Sequence, residues 1–592
     1  MINDQYLYVK RKKRLCSSTP YFKSEKIFIS PDNRIISAKF SILAELILFQ
    51  LSKMKERFFY ILGALLMMVV VPGTMYATDY FISKTGNDLN DGKTNATAWA
   101  TISKVNSIAF APGDKILFQA GNSFHGNIIL DASDGGSAAN PLILSTFFSF
   151  TGGTGSGKEW AKINGGDGHG IKIIGGTGIT VQNLMVTGSG RNTNIRGIGV
   201  LVDAGRDIIV DNVEVEGFQM AGVMIYGGTV NVRVTNVYAH DNGYTGIGAG
   251  YRKKGLNKNI YVGYCRTIHN PGISDSSKYI RDQSGSGIHL SNVEGGLVEY
   301  CESGDNGGDF YHTGGNGPVG IWMNSCKDVI IQYCISHNNK SRRLSDGHVY
   351  SDGGGFDFDS GCKNCIIQNV YSYDNAGPGF LLCAWDTTKS HLLENNTLRY
   401  SISENDGQVS GAGIWIWKSV NQYNMQVYNN IFYNSSGRSC IWAPEVSGSF
   451  FFRNNIFVLR GTGAFIIGMG PNAIFQGNCY WNYNNPGNWD GATSFEAWRS
   501  RGQETINNKP SGVNQDPLLT FVTDGEKLTD PTKILQLREY MLQSGSPCID
   551  AGLNLSKLFN INPGNTDFFG NKIPKGKAYD IGVHEKQAEK EN

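Results

Sequence analysis

The chain has 592 residues, 75 of them glycine, with 18% charged side chains and a formal net charge of +2. Residues 1 to 77 hold 12 of the 53 basic and 5 of the 51 acidic residues, so residues 78–592 have a net charge near −5. That balance excludes a basic stripe for nucleic acid, and ten Cys spread over those 515 residues exclude the dense disulfide framework of a small secreted domain.

The first segment stands apart in chain order. Met54-Lys-Glu-Arg opens a short charged stretch, Phe58 to Val71 is apolar, and Pro72, Gly73 and Ala77 come after it, the pattern of a secretory signal over residues 54–77. Its apolar run of 14 residues is shorter than the roughly 20 needed to cross a bilayer. Cleavage without a lasting membrane anchor is therefore expected, giving a secreted or periplasmic protein. Residues 1–53 read as an upstream extension from a start codon assigned too early. Residues 78–165 read as an N-terminal cap and first coils. Within them Gly86-Asn-Asp-Leu-Asn-Asp-Gly92 lacks the terminal bidentate Glu of an EF-hand loop and reads as a turn.

From residue 166 to 482 a repeat takes over. A glycine followed by an alternating apolar run recurs at Gly170, Gly197, Gly222, Gly246, Gly287, Gly320, Gly355, Gly379 and Gly413, with a shortest interval of 24 residues. A second strand in most repeats carries Asn or Tyr at a comparable place: Asn183, Asn212, Asn236, Tyr264, Tyr300, Tyr333, Asn369, Asn395, Asn429 and Asn454. These amides are expected to stack along a turn. A third segment ends in polar pairs such as Asp241-Asn242 and Asp374-Asn375. Three short strands per turn describe an all-β solenoid in which each coil buries the face of the next.

With these repeats the chain resembles the right-handed parallel β-helix proteins of the pectate-lyase-like superfamily. The resemblance covers about residues 165–482 and implies a secreted, carbohydrate-active protein. The opening segment at Asp79 and the closing segments at Gly545 and Asp580 also look like those that flank such proteins. Cys265, Cys301 and Cys334 share a column with Val213, Val237 and Val370 and read as buried thiols. Cys362-Lys-Asn-Cys365 lacks a second ligand pair at zinc spacing. Residues 483–592 read as an irregular segment, with a helix near Ser494 to Arg501, that caps the open end of the coil.

The chemistry is expected at Ser351 to Gly361. If Phe356 and Phe358 point into the core, Asp357 and Asp359 both point out, about 6.5–7 Å apart. The column through Asp357 reads His289, Trp322, Asp357, Leu381, Trp415 and Trp442, and the next reads Ser291, Asn324, Asp359, Cys383 and Trp417. An exposed stripe of carboxylates and tryptophans is expected, suited to the apolar faces of sugar rings in an extended groove. The long intervals between Gly246 and Gly413 add loops that wall this face.

A glycoside hydrolase needs a carboxylic acid and a carboxylate; Asp357 and Asp359 are the first candidates, with Asp374 and Glu404 as alternatives. It would need no cofactor. A pectate-type lyase, the alternative, would hold Ca²⁺ on Asp352, Asp357 and Asp359 and draw a base from Lys389, Arg399 or Lys418. His289, Trp322, Trp415, Trp417, Trp442, Lys389 and Arg399 are candidate substrate contacts. A non-catalytic glycan-binding or surface protein with the same stripe is the third reading. The expected partner is a polysaccharide or oligosaccharide, bound by a monomer.

Overall fold

The computed structural model describes residues 77–148, 159–250, 255–274, 284–310, 317–341, 352–384, 392–417, 421–444, 447–520 and 527–587. Residues 1–76, where the sequence suggests an upstream extension and a secretory signal, lie outside them. The chain winds as a right-handed parallel β-helix of three faces. Twelve strands, from Ile128–Leu130 to Ile466–Ile467, stack in coil order into the first face. The other two share a 25-stranded sheet. They are joined in the early coils by the long strands Thr177–Gly188 and Arg206–Glu216, which turn a corner at Asn183 and Asn212, with φ of 53° and 55°.

The glycine repeat has a steric cause. A Cβ at Gly222 would lie 2.8 Å from the carbonyl oxygen of Gly246, and one at Gly355 would lie 2.9 Å from that of Gly379. The coils from Gly170 to Gly379 thus start their first-face strands at a point where only hydrogen fits, whereas Cys440 and Phe465 take that place in the last two coils. One member of the column differs from the sequence reading. Gly199, not Gly197, pairs in register with Gly222, because Ile198 lies opposite Ala221 and Val200 opposite Val223.

The Asn/Tyr column forms a corner whose residues hold positive φ, from Asn183 through Tyr264, Tyr300 and Tyr333 to Asn454. Its tyrosines stack at 5.1 Å between successive ring centroids. Asn395 belongs to another corner, where its Oδ1 accepts from Asn424 Nδ2 at 2.7 Å; the residue level with Asn369 is Tyr400. The longer amide ladder runs at a third place, inside the coil. Asn242, Asn270, Asn306, Asn339 and Asn375 each donate Nδ2–H to the Oδ1 of the next, ending on Asp406. A second ladder, Asn430–Asn455–Asn478, ends on Glu504.

The core runs from Ile82 to Trp498 along the axis of the coil. The ten cysteines of the described residues are all buried and free, including Cys362 and Cys365. The closing segment does two jobs rather than one. Trp489 and the helix Phe495–Ser500 pack Trp489, Phe495 and Trp498 against Phe465, Phe475 and Tyr480 at the end of the coil. Residues beyond them run back along the third face, where Leu519, Ile534, Leu537, Tyr540 and Leu542 cover Ile335, Tyr371, Ile402 and Ile431. At the other end, Asp88 accepts the N–H groups of Ala100 and Thr101, so the acidic glycine run is a turn of the opening cap.

Candidate functional site

The first-face strands Ser286–Ser291, Val319–Asn324, Gly354–Phe358, Phe380–Cys383, Ile414–Trp417 and Ile441–Trp442 set the site. Phe356 and Phe358 enter the core, so the alternate residues face outward. Register places His289 opposite Trp322, Trp322 opposite Asp357, Asp357 opposite Leu381, Leu381 opposite Trp415, and Trp415 opposite Trp442. Ser291 lies opposite Asn324 and Cys383 opposite Trp417. The two outward columns therefore run in the order read from the sequence.

Their depth differs from the expected open stripe. His289, Trp322, Asp357, Leu381, Cys383 and Trp415 are all buried, while Asp359, Trp417 and Trp442 are half-buried. His289 is fixed on three sides. Its ring stacks on Trp322, its Nδ1 meets the Tyr244 hydroxyl at 3.0 Å, and its Nε2 meets Asn324 Oδ1 at 2.9 Å. Burial pulls its pKa down to about 4, so it is a neutral imidazole at physiological pH. Trp322 in turn donates Nε1–H to Ser286 Oγ at 3.2 Å.

Three carboxyl groups converge beside this stack. Asp352 begins the turn into the Gly354–Phe358 strand with φ of 67°, and its Oδ2 accepts the Gly317 N–H at 2.7 Å. Burial nevertheless pushes its pKa up to about 7, and the charge of Asp359 adds to the rise. Asp357 is driven higher, first by burial, then by Asp359 and Asp352, and its Oδ1 has no hydrogen-bond partner. Asp359 stands at the rim, where its Oδ1 accepts the Ser360 N–H at 2.5 Å. The same three charges, after burial, raise the Cys383 thiol on the neighbouring strand. Mutual repulsion in a poorly solvated place keeps protons on such groups.

On the other side of Leu381 lies an aromatic group. Trp415 and Trp442 stack with centroids 4.8 Å apart and planes 20° apart, and Trp417 sits 6.3 Å from Trp415. The Trp415 Nε1–H is buried without an acceptor. Two strand spacings separate Asp357 from Trp415, about 9.6 Å.

The remaining candidates are elsewhere. Asp374 lies in the turn that closes a third-face strand, where Gln408 Nε2 donates to its Oδ1 at 3.2 Å. Glu404 is buried on the third face under the closing segment, bound by the Tyr371 hydroxyl and by Lys527 Nζ. Neither shares a face with Asp357, and Glu404 serves as a structural anchor of the wrapped segment. Arg399 is on the second face. Lys389 and Lys418 lie outside the described residues. As for Ca²⁺, one ion holds its oxygens at about 2.3–2.6 Å and so needs them within about 5 Å of each other. Among the described residues, the one trio of ligand-type side chains with ligand atoms all within 4.8 Å of one another is Glu216, His240 and Asp241. Asp352, Asp357 and Asp359 are not drawn together that tightly, so as arranged they do not fit a cation held by all three.

Sequence reading gives Asp352 only a metal-ligand role and misses that it titrates near neutrality. The signal for it is the glycine run Gly353-Gly354-Gly355 after it, which lets the backbone turn an acid into the start of the strand.

A family model described as right handed beta helix region matches residues 169–398. A curated relative, a lacto-N-biosidase from Bifidobacterium longum subsp. longum, is 24% identical over 86% of this chain and 36% of its own length. The chain therefore spans about a third of that relative. Among solved structures, a GH136 lacto-N-biosidase from Eubacterium ramulus is similar at 17% identity over 70% of this chain and 68% of its own, with a TM-score of 0.46. A pectate lyase is similar at 16% identity over 87% of this chain and 98% of its own, with a TM-score of 0.38.

Proposed function

We propose that this protein is a glycoside hydrolase that cleaves an oligosaccharide or polysaccharide seated on the first face. Asp352 acts as proton donor and Asp359 as the carboxylate. The observation that carries this reading is a carboxyl group raised to about 7, with the charge of a second half-buried carboxyl group, Asp359, adding to the rise. Retaining and inverting enzymes both need such a pair, one protonated and one ionised. Asp352 supplies the proton to the glycosidic oxygen, and Asp359 either attacks the anomeric carbon or takes a proton from the attacking water. Burial and the charge of Asp359 keep Asp352 from ionising early, and Asp357, itself driven well up by burial, lies between them in sequence. The Trp415–Trp442 stack supports the apolar face of a sugar ring. The lacto-N-biosidase relative makes a lacto-N-bioside the first substrate to try. Secretion or periplasmic export, from the signal-like residues 54–77, brings the protein to such glycans; it acts as a monomer without a metal cofactor.

The test tracks reducing ends and ultraviolet absorbance of unsaturated products together, with and without chelator. The panel holds lacto-N-biosides, neutral polysaccharides and uronic-acid polysaccharides. Chelator-insensitive reducing ends without new absorbance support hydrolysis. Chelator-sensitive absorbance would overturn it in favour of a calcium lyase, and silence on both channels would move the reading to a glycan-binding protein.

A further inference from the structure

The second face carries a pocket that hydrolysis on the first face does not use. Its floor is the outward row Thr397, Gln426 and Phe451, next to the row Arg399, Tyr428 and Arg453; both keep the strand register. Phe559, at the end of the short helix Leu555–Phe559, and residues 560–562 close one side. This open pocket has a volume of about 450 Å³, within the range of small-ligand sites.

The charge in this pocket is unbalanced. Arg453 is only 4% exposed and lies between two rings, 3.8 Å from the Phe559 centroid and 4.7 Å from that of Phe451. Its hydrogen bonds go to neutral amides, Gln426 Oε1 at 2.9 Å and Gln476 Oε1 at 3.0 Å. Arg399 likewise donates to Gln368 Oε1 at 2.7 Å, the Tyr428 hydroxyl at 3.2 Å and the Asn562 carbonyl at 2.9 Å. Among the described residues neither guanidinium has a carboxylate partner, and no Asp or Glu lines the pocket. Burial draws the Arg453 pKa down to about 10, with no nearby charge opposing it. A buried cation is costly unless an anion or a set of strong acceptors meets it. Around the two cations stand Asn395, Asn424 and Gln426, side-chain amides that suit sugar hydroxyls.

We infer that this second-face pocket binds an anionic sugar residue, its carboxylate or sulfate group meeting Arg399 and Arg453 and its hydroxyls meeting the flanking amides. Planar guanidinium groups recognise such oxyanions by paired charge-assisted hydrogen bonds. The pocket lies on a different face from Asp357, so it would hold an acidic branch or a neighbouring glycan rather than the bond being cleaved.

Calorimetric titration of the purified protein with glucuronate, glucose and sodium sulfate tests this. Glucuronate is expected to bind at least about tenfold more tightly than glucose and than sulfate, with affinity falling as salt rises. Arg399→Gln should weaken glucuronate about tenfold or more, and Asp359→Asn on the first face should leave it unchanged. Arg453→Met should do the same as Arg399→Gln; if it fails to fold, the half-buried Arg399 still decides. Glucuronate binding no tighter than glucose, sulfate binding equally well, or indifference to Arg399→Gln would each overturn the assignment.

Discussion

His289 and Trp322 lie ring on ring across adjacent strands, with 3.5 Å between centroids and 5° between planes. The stack leaves the imidazole only its two edge nitrogens, and both are taken, by Tyr244 and Asn324. With Asn324 Oδ1 as acceptor, Nε2 carries the proton and Nδ1 accepts from the tyrosine. His289 is therefore a neutral strut of the site rather than a proton carrier.

The first prediction rests on its pKa of about 4. Nitrogen-15 NMR should show His289 neutral from pH 8 down to about 5. Its folded pKa lies below the unfolded value, so the unfolded chain binds the proton first, and stability falls as pH drops from about 6.5 to about 4. His289→Gln should flatten that acid-side loss by up to roughly 3 kcal/mol. A His289 signal titrating near 6.5 would contradict the buried stack.

A second prediction concerns the carboxyl pair. With Asp352 as the acid, kcat/KM should decline as pH rises through about 7. Asp352→Asn and Asp359→Asn should each lower turnover by about 10²–10⁴-fold with melting temperatures near wild type. The coupling has its own signature: Asp359 raises Asp352 through charge, so in Asp359→Asn the Asp352 carboxyl carbon should titrate at lower pH than in wild type. An unchanged titration would separate the two groups and remove the electrostatic basis of the pair.

What was legible in the sequence, and what was not, has physical reasons. The order His289, Trp322, Asp357, Leu381, Trp415 could be read because a glycine two residues before each marks the register of its coil; Trp442 follows Cys440 instead and is placed by the same two-residue offset. Gly199 is easily missed because Gly197 lies two residues away, and in a strand a shift of two keeps the same face. The Asn242–Asp406 ladder shows itself as polar pairs, but composition does not tell an inward turn from an outward one, so the Asn183 column looks equally suited to stacking amides. Glu404 could not be placed at all: its partner Lys527 is 123 residues away. Nor could the pKa of Asp352, which depends on how deeply distant segments bury it.

The third prediction tests the glycine column directly. A Cβ at Gly320 would stand 2.6 Å from Asn339 Nδ2 and 2.9 Å from the Gly355 carbonyl oxygen. Backbone from the next coil cannot move aside without shifting the whole stack. Gly320→Ala should therefore destabilise by about 1–3 kcal/mol in denaturant unfolding. A neutral result would mean that the coils yield more readily than their packing implies.

The last prediction rests on the acid that ends the longer amide ladder. Asp406 is fully buried, and its Oδ1 accepts from both the backbone N–H and Nδ2 of Asn375, its Oδ2 from Ser403. Those bonds favour the ionised form, yet burial outweighs them and pushes the pKa up to about 7. Native Asp406 thus keeps a proton that the unfolded chain gives up near pH 4, so its contribution to stability falls as pH rises from about 4 to about 7. An asparagine offers the same Oδ1 to Asn375 and carries no charge, and the Ser403 hydroxyl can turn to accept from its Nδ2. Asp406→Asn should therefore leave stability at pH 4 nearly unchanged and raise it at pH 8, by up to roughly 4 kcal/mol. Urea unfolding of both proteins across that range decides the matter: parallel pH curves would show that Asp406 is ionised at neutral pH, with the ladder ending on a charge.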